Sequence, residues 1–287
     1  MVSLSPENSA RYSTPVNPSS VYALLSALIY GVGDFSAGLA SRHNPAIRVV
    51  ALTHPLGLIA YAAVALATHE RLPSVPLLWL AALTGLVGMV AVVLFFRALA
   101  LGPMGVVSVS SAALGAIVPV LAGLLAGEAL TPSRLLGMAL ILAGIVAFSL
   151  APSHGGRGGL PLALFAGLGF GLFFVLLARA SVGAVFWPLA AARLASSLVA
   201  LPLAMAQGGL KPKRLGLILG SFPGDVLGNL FFTLAARSGP LAVAGLLTNL
   251  YPVFTALMAA LVLRERLRRY QWLGVGVVLA GLPLVSR

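Results

Sequence analysis

Glu128–Ser149 reads EALTPSRLLGMALILAGIVAFS, and Glu265–Ser286, 137 residues further on, reads ERLRRYQWLGVGVVLAGLPLVS. Eight of the 22 aligned positions are identical: the leading Glu, then Leu, Leu, Gly, Leu, Ala, Gly and the closing Ser. At the same offset Gly102-Pro103 returns as Gly239-Pro240. A chain of 287 residues that repeats at about half its length is the product of a duplication. An internal repeat of this kind decides the architecture before any other feature does.

Both copies are apolar, and so is most of the chain. Apolar residues make up 60% and charged residues 8%, with a mean hydropathy of +1.04, where soluble domains carry roughly 25% charged residues. So little charge cannot cover a soluble surface, and the chain is expected to be a polytopic membrane protein. The net charge of +12, from 18 Lys and Arg against six Asp and Glu, would suggest nucleic acid in a soluble chain. Here the cations sit mainly between apolar runs, where lipid headgroups account for them, so no nucleic-acid partner is expected. The absence of cysteine excludes disulfides, thiol chemistry and Cys-based zinc sites.

A bilayer-crossing helix needs about 20 mostly apolar residues. Dividing the chain at charged and Gly/Pro-rich breaks predicts ten spans: 21–41, 47–67, 77–97, 104–127, 133–150, 160–180, 184–206, 213–237, 241–263 and 270–285. Residues 1–20, rich in Ser, Pro and Asn, read as a disordered polar tail. The apolar run from Val21 is too long for a cleaved leader. The repeat divides the spans into 21–150 and 160–287, joined by the Gly/Pro/His linker 151–159. Five spans per repeat force the second copy to enter from the opposite face. The expected fold is therefore all-α, ten transmembrane helices as two inverted five-helix repeats around a central cavity. That arrangement is characteristic of secondary transporters, with the substrate near the midplane. Spans 5 and 10 carry Gly137/Gly144 and Gly274/Gly281, each pair seven apart on one face, which suits them to close packing across the pseudo-twofold axis.

Charged groups inside spans cost at least about 2.5–3.5 kcal/mol on insertion scales, so they face a cavity or a partner. Asp34 (span 1), His54 (span 2), Arg193 (span 7) and Asp225 (span 8) are such groups. His54 and Arg193 hold equivalent places, 139 positions apart. Arg193 and Asp225 either pair to tie spans 7 and 8 together or form the wall of a polar cavity. Span 8 carries two ridges. Gly220, Gly224 and Gly228 suit close helix packing, while Ser221, Asp225 and Asn229, rotated by about 100° at 3.6 residues per turn, suit a wet cavity. Pro223 between them frees a backbone carbonyl one turn earlier. Tyr30 before Gly31-Val-Gly33, Trp187 at the start of span 7, Asn249 and Tyr251 beside Pro252 in span 9, and Ser110 in span 4 complete the candidate substrate-binding set. Tyr22, Trp79 and Trp272 read as interfacial anchors, and Glu128 and Glu265 as helix-start caps.

No HExxH, phosphate loop, paired carboxylates at catalytic spacing or Ser/His/Asp constellation is present. No enzyme activity, metal site or cofactor is expected.

Each repeat closes with a Gly-Pro turn, a Leu-rich span ending in Glu, and a Leu-Gly…Ala-Gly helix. Tyr251-Pro-Val-Phe-Thr-Ala-Leu, with Glu265 thirteen residues after Pro252, resembles the Pro-to-Glu signature of the EamA repeat, and Phe95-Phe96-Arg97-Ala98-Leu99 fits the end of its third helix. The chain from about 20 to 286 resembles the ten-helix EamA-repeat branch of the drug/metabolite transporter superfamily, and is similar to bacterial amino-acid exporters of the YddG type. Gly115 stands where the second repeat has Pro252, a departure from the pattern in span 4. The resemblance implies export of small metabolites, amino acids first, across the inner membrane by a monomer in the lipid bilayer. Multidrug and nucleotide-sugar transport lie within the same superfamily, and protons are the candidate coupling ion. It also implies termini in the cytoplasm. The charge count favours the reverse, since that orientation leaves six cations inside and eleven outside.

Overall fold

The computed structural model describes residues 17–149, 159–263 and 269–285. Within them the chain is helical, with no strand: α1 (Pro18–Ser41), α2 (Ala46–Ala67), α3 (Val75–Leu101), α4 (Met104–Leu125), α5 (Pro132–Ser149), α6 (Leu160–Ala180), α7 (Phe186–Ala206), α8 (Leu215–Ser238), α9 (Leu241–Thr248), α10 (Tyr251–Val262) and α11 (Arg269–Val285). Eight spans are long and apolar enough to cross a membrane, with α9 and α10 together forming one of them. α5 and α11 are shorter apolar helices. Glu265, and the linker apart from Gly159, lie outside the described residues.

Helix packing repeats itself under exchange of the two halves. α1 packs on α8 as α6 packs on α3, and α3 packs on α7 as α2 packs on α8. α4 meets α6 as α9 and α10 meet α1. Three pairs are their own mirror images: α2 with α7, α4 with α9 and α10, and α5 with α11. This is the pattern of two inverted repeats about a pseudo-twofold axis.

The repeated stretch packs against itself. A Cβ on Gly137 would lie 2.8 Å from the Gly281 carbonyl oxygen, and one on Gly144 would lie 2.8 Å from that of Gly274. Only glycine admits backbones this close, and close backbone approach is what holds helices together where lipid is as apolar as the interface. The buried core is accordingly rich in alanine, including Ala23, Ala27, Ala37, Ala163 and Ala166. Large apolar side chains such as Leu66, Trp79, Phe165 and Leu273 point outward, as a lipid-facing belt requires.

Among the boundaries that differ from the sequence-based expectation, two have a visible cause. Helix α1 starts at Pro18, inside the expected tail, because the Asn17 side chain accepts from the Ser19 amide (3.0 Å) and proline fits the first turn. Span 9 is broken into α9 and α10. Pro252 has no N–H to offer the Thr248 carbonyl, Asn249 Nδ2 donates to the Gly245 carbonyl (2.8 Å), and the Leu250 amide turns back to Leu247 (3.1 Å).

Two glutamates bridge the halves on the face where α1 begins. The Glu128 carboxylate accepts from the Leu241 (2.7 Å) and Ala242 (3.0 Å) amides. It therefore caps α9 in the other half rather than the helix that follows it in sequence. Glu70 does the same for the first amides of α7.

Candidate functional site

Helices α1, α2, α3, α6, α7, α8 and α10 surround a central cavity with about 670 Å³ of empty space, of which water centres reach about 50 Å³. A single water needs roughly 10–15 Å³ by the latter measure. The cavity in this conformation therefore admits only a few waters, and a larger cargo requires the helices to part.

One wall is polar. Both ridges of α8 fall where their spacing puts them. Gly224 abuts Gly33 and Gly228 abuts the Tyr30 ring on α1, while Ser221, Asp225 and Asn229 line the cavity. Asp34 follows Gly33 and Asp225 follows Gly224, so the glycine crossing brings both carboxylates to the same cavity. Arg193 Nη2 donates to Asp225 Oδ1 at 2.6 Å, with the two side chains 5% and 19% exposed. The arginine stem lies across Gly57, whose Cβ would meet Arg193 Cδ at 3.4 Å. Asn229 Nδ2 donates to the Asp225 carbonyl (2.5 Å) and to Oδ1 (3.3 Å).

Arg193 Nε, Asp225 Oδ2 and Asn229 Oδ1 remain buried without a hydrogen-bond partner among the described residues. Groups left so cost about 1–3 kcal/mol each, more when charged. Three of them around one ion pair mark a place built for a polar ligand. Asp34 makes no hydrogen bond or ion pair with any described residue. His54 Nδ1 lies 2.8 Å from Ser196 Oγ. That hydroxyl also reaches the Arg193 carbonyl (3.1 Å), so Ser196 links the imidazole to the α7 backbone whichever ring nitrogen carries the proton.

Much of the remaining lining is aromatic. Phe96, Phe170, Phe173, Phe174, Tyr30 and Tyr251 form this part. Phe95 backs the wall with edge contacts to Phe170 (5.4 Å) and Tyr251 (5.9 Å), and Tyr30 meets Tyr251 at 6.4 Å. The break before α10 sets Tyr251 here, where its hydroxyl donates to Ser111 Oγ (3.4 Å). A lining that combines charged groups with rings accommodates a molecule with one ionic and one apolar end.

Seven of the ten expected residues meet in this cavity: Tyr30, Asp34, His54, Arg193, Asp225, Asn229 and Tyr251. Three do not. Trp187 sits at the mouth of α7, where its indole Nε1 donates to the Glu70 carbonyl (2.9 Å), because an amphipathic ring is most at home between apolar helix and loop. Asn249 is fully buried beside Val109, Gly144 and Gly274, its Nδ2 used at the break in span 9. Ser110 is buried outside the lining. Sequence reasoning missed Thr53, Val92, Phe96, Phe170, Phe173 and Phe174. Nothing in an apolar span distinguishes a phenylalanine facing a cavity from one facing lipid.

A solved crystal structure, titled only as that of a protein, superposes with a TM-score of 0.73 over 93% of this chain and 95% of its own, at 17% identity, which speaks for the fold alone. No curated protein matches. The profile of the EamA-like transporter family matches residues 17–150 and again 157–287. Two matched repeats, apolar spans and a polar cavity between the halves agree, and the chain is a multi-pass membrane transporter belonging to the EamA-like transporter family.

Proposed function

We propose that this protein exports small amphipathic metabolites, amino acids by preference, across a bacterial inner membrane by alternating access between its two repeats. The observation that carries the reading is the Arg193–Asp225 pair with its unpartnered Arg193 Nε, Asp225 Oδ2 and Asn229 Oδ1, in a cavity that is also lined by aromatic rings. A zwitterion's carboxylate suits Arg193, its ammonium suits Asp225 and Asn229, and its side chain suits the rings; charge-assisted bonds of this kind are roughly twice as strong as neutral ones. Substrate-binding roles are assigned to Tyr30, Asp34, His54, Arg193, Asp225, Asn229 and Tyr251.

The lining holds two carboxylates against one guanidinium. Counting His54 as neutral, it is one positive charge short, and an uncompensated charge in an occluded intramembrane cavity is costly. A proton on Asp34 supplies that charge when the cargo is zwitterionic. A cationic amine supplies it directly, which favours a multidrug or amine carrier as the second reading.

Purified protein in proteoliposomes is expected to move labelled aromatic or aliphatic amino acids saturably and to show counterflow. Uptake no faster than a protein-free leak control for every amino acid tested rejects the substrate class. Transport indifferent to an imposed pH gradient rejects proton coupling while leaving the carrier intact.

A further inference from the structure

Besides the Glu128 cap on α9, two clasps that are counterparts of one another join the halves at the rims of the bundle, one on each face. On the face where α1 begins, Trp187 Nε1 donates to the Glu70 carbonyl (2.9 Å). The Glu70 carboxylate accepts in return from the Val185 (2.7 Å), Phe186 (2.9 Å) and Trp187 (2.9 Å) amides. On the opposite face Arg48 Nε donates to the Gly209 carbonyl (2.8 Å), and its Nη1 and Nη2 donate to those of Lys211 and Gly208 (both 3.2 Å). Beside it, Asn44 Nδ2 donates to the Lys213 carbonyl and Asn44 Oδ1 accepts from the Lys213 amide, each at 2.8 Å.

These clasps occupy one structural position seen twice. Arg48 and Trp187 are 139 residues apart, as are Glu70 and Gly209, the same offset that relates His54 to Arg193. In each half a side chain in the first turn of the second helix grips the turn after the second helix of the other half. The chemistry is inverted between faces: a carboxylate holds amides on one, a guanidinium holds carbonyls on the other. Both clasps are closed together here, and the cavity between them is narrow. Any movement of one half against the other that opens the cavity to a face must part the clasp on that face. Hydrogen bonds at a partly buried rim, even to charged groups, are weak enough individually to break and re-form in each cycle.

We propose that Glu70–Trp187 and Arg48 with Asn44 are the two gates of the transport cycle, parting alternately. The proposal rests on the carrier reading above but not on the identity of the cargo.

Because the chain has no cysteine, Ser221→Cys in the cavity lining gives a single reporter for a membrane-impermeant thiol reagent applied to right-side-out and inverted vesicles. Glu70→Gln is expected to raise labelling from the α1-start face about fivefold or more and to lower it from the other; Arg48→Ala is expected to do the opposite. Trp187→Phe, which keeps the ring and deletes the N–H, and Arg48→Lys, which keeps the charge and deletes the fork, repeat the test with packing retained. Opposite shifts in either pair support the gates. Labelling unchanged in all four variants, or raised equally from both faces, overturns them. The reporter reads the full-length protein without substrate, so its failure is distinct from a failure of amino-acid counterflow, which rejects only the cargo.

Discussion

Gly33 and Gly224 touch backbone to backbone: a Cβ on Gly33 would lie 2.6 Å from Gly224 Cα. This crossing of α1 and α8 does two jobs at once. It packs helices from different halves, and it places the next residue of each, Asp34 and Asp225, on the cavity. Ser26 Oγ donating to the Gly228 carbonyl (2.7 Å) and Tyr61 Oη donating to that of Val226 (2.6 Å) pin α8 to α1 and α2 just after Asp225.

Gly33→Val therefore has nowhere to put its side chain, because the atoms it would strike are backbone. Overpacking of this kind costs about 1–3 kcal/mol, and thermal unfolding in detergent is expected to move to lower temperature accordingly. Gly216→Ala in the same α8 meets nothing within 4 Å and is expected to leave the melting point unchanged or slightly raised. Equal melting of parent and Gly33→Val would show that the crossing is not closed in the membrane protein.

The Arg193–Asp225 pair separates structure from function. Arg193→Met alone or Asp225→Leu alone strands a buried charge, at a cost of about 3–5 kcal/mol, whereas replacing both with apolar groups is often neutral or stabilising. The double variant is thus expected to melt above either single variant. Transport is expected to be lost in all three, since the ionic groups offered to the cargo are gone. A double variant that melts no higher than the singles would mean the two charges are stabilised independently.

The sequence carried the architecture because its strongest signals are one-dimensional. Twenty-residue apolar runs, a duplicated Leu-Gly…Ala-Gly helix and the four-residue spacing of Gly220, Gly224 and Gly228 all survive without coordinates. The charged half of the cavity was legible for the same reason, since Asp34, His54, Arg193 and Asp225 stand out against apolar neighbours. Its aromatic half was not. Phe170, Phe173 and Phe174 are as acceptable to lipid as to a cavity, so their sequence holds no sidedness. Trp187 and Asn249 misled by belonging to sites that use the same residue types for other ends, a rim clasp and a helix break. Glu128 reads as a cap, but its partner is 113 residues away on α9, a pairing only the fold reveals.

That cap is itself testable. Glu128 accepts two amides at the positive end of α9, where a carboxylate is favoured by both hydrogen bonding and the helix dipole. Glu128→Gln keeps the shape but removes the charge and one acceptor, and is expected to lower stability by about 1 kcal/mol. Glu128→Ala removes both acceptors, and is expected to cost up to about 2 kcal/mol on the scale of strong caps. Thermal unfolding of the two variants should rank parent, Gln, Ala. A melting point for Glu128→Ala equal to the parent's would show that water replaces the carboxylate freely.

The break in span 9 makes the last prediction. Asn249 and Leu250 have ψ of 8° and −3°, about 40–50° from the helical value near −42°, so α9 and α10 are only a small rotation short of one continuous helix. Pro252 keeps them apart by offering no N–H to Thr248. Pro252→Ala restores that donor, and removing an interior proline is favourable by up to about 3 kcal/mol where the helix can close. The variant is expected to be at least as stable as the parent. Closing the break also rotates Tyr251, which opens α10 and meets Tyr30 and Phe170 in the cavity wall and Phe95 behind it. Transport should therefore fall several-fold while stability holds or rises. That split is what a positioning break produces, and a merely tolerated proline does not. Parent-like transport in a stabilised Pro252→Ala variant would reduce the break to a packing accident, and a matching loss of stability would trace the defect to misfolding instead.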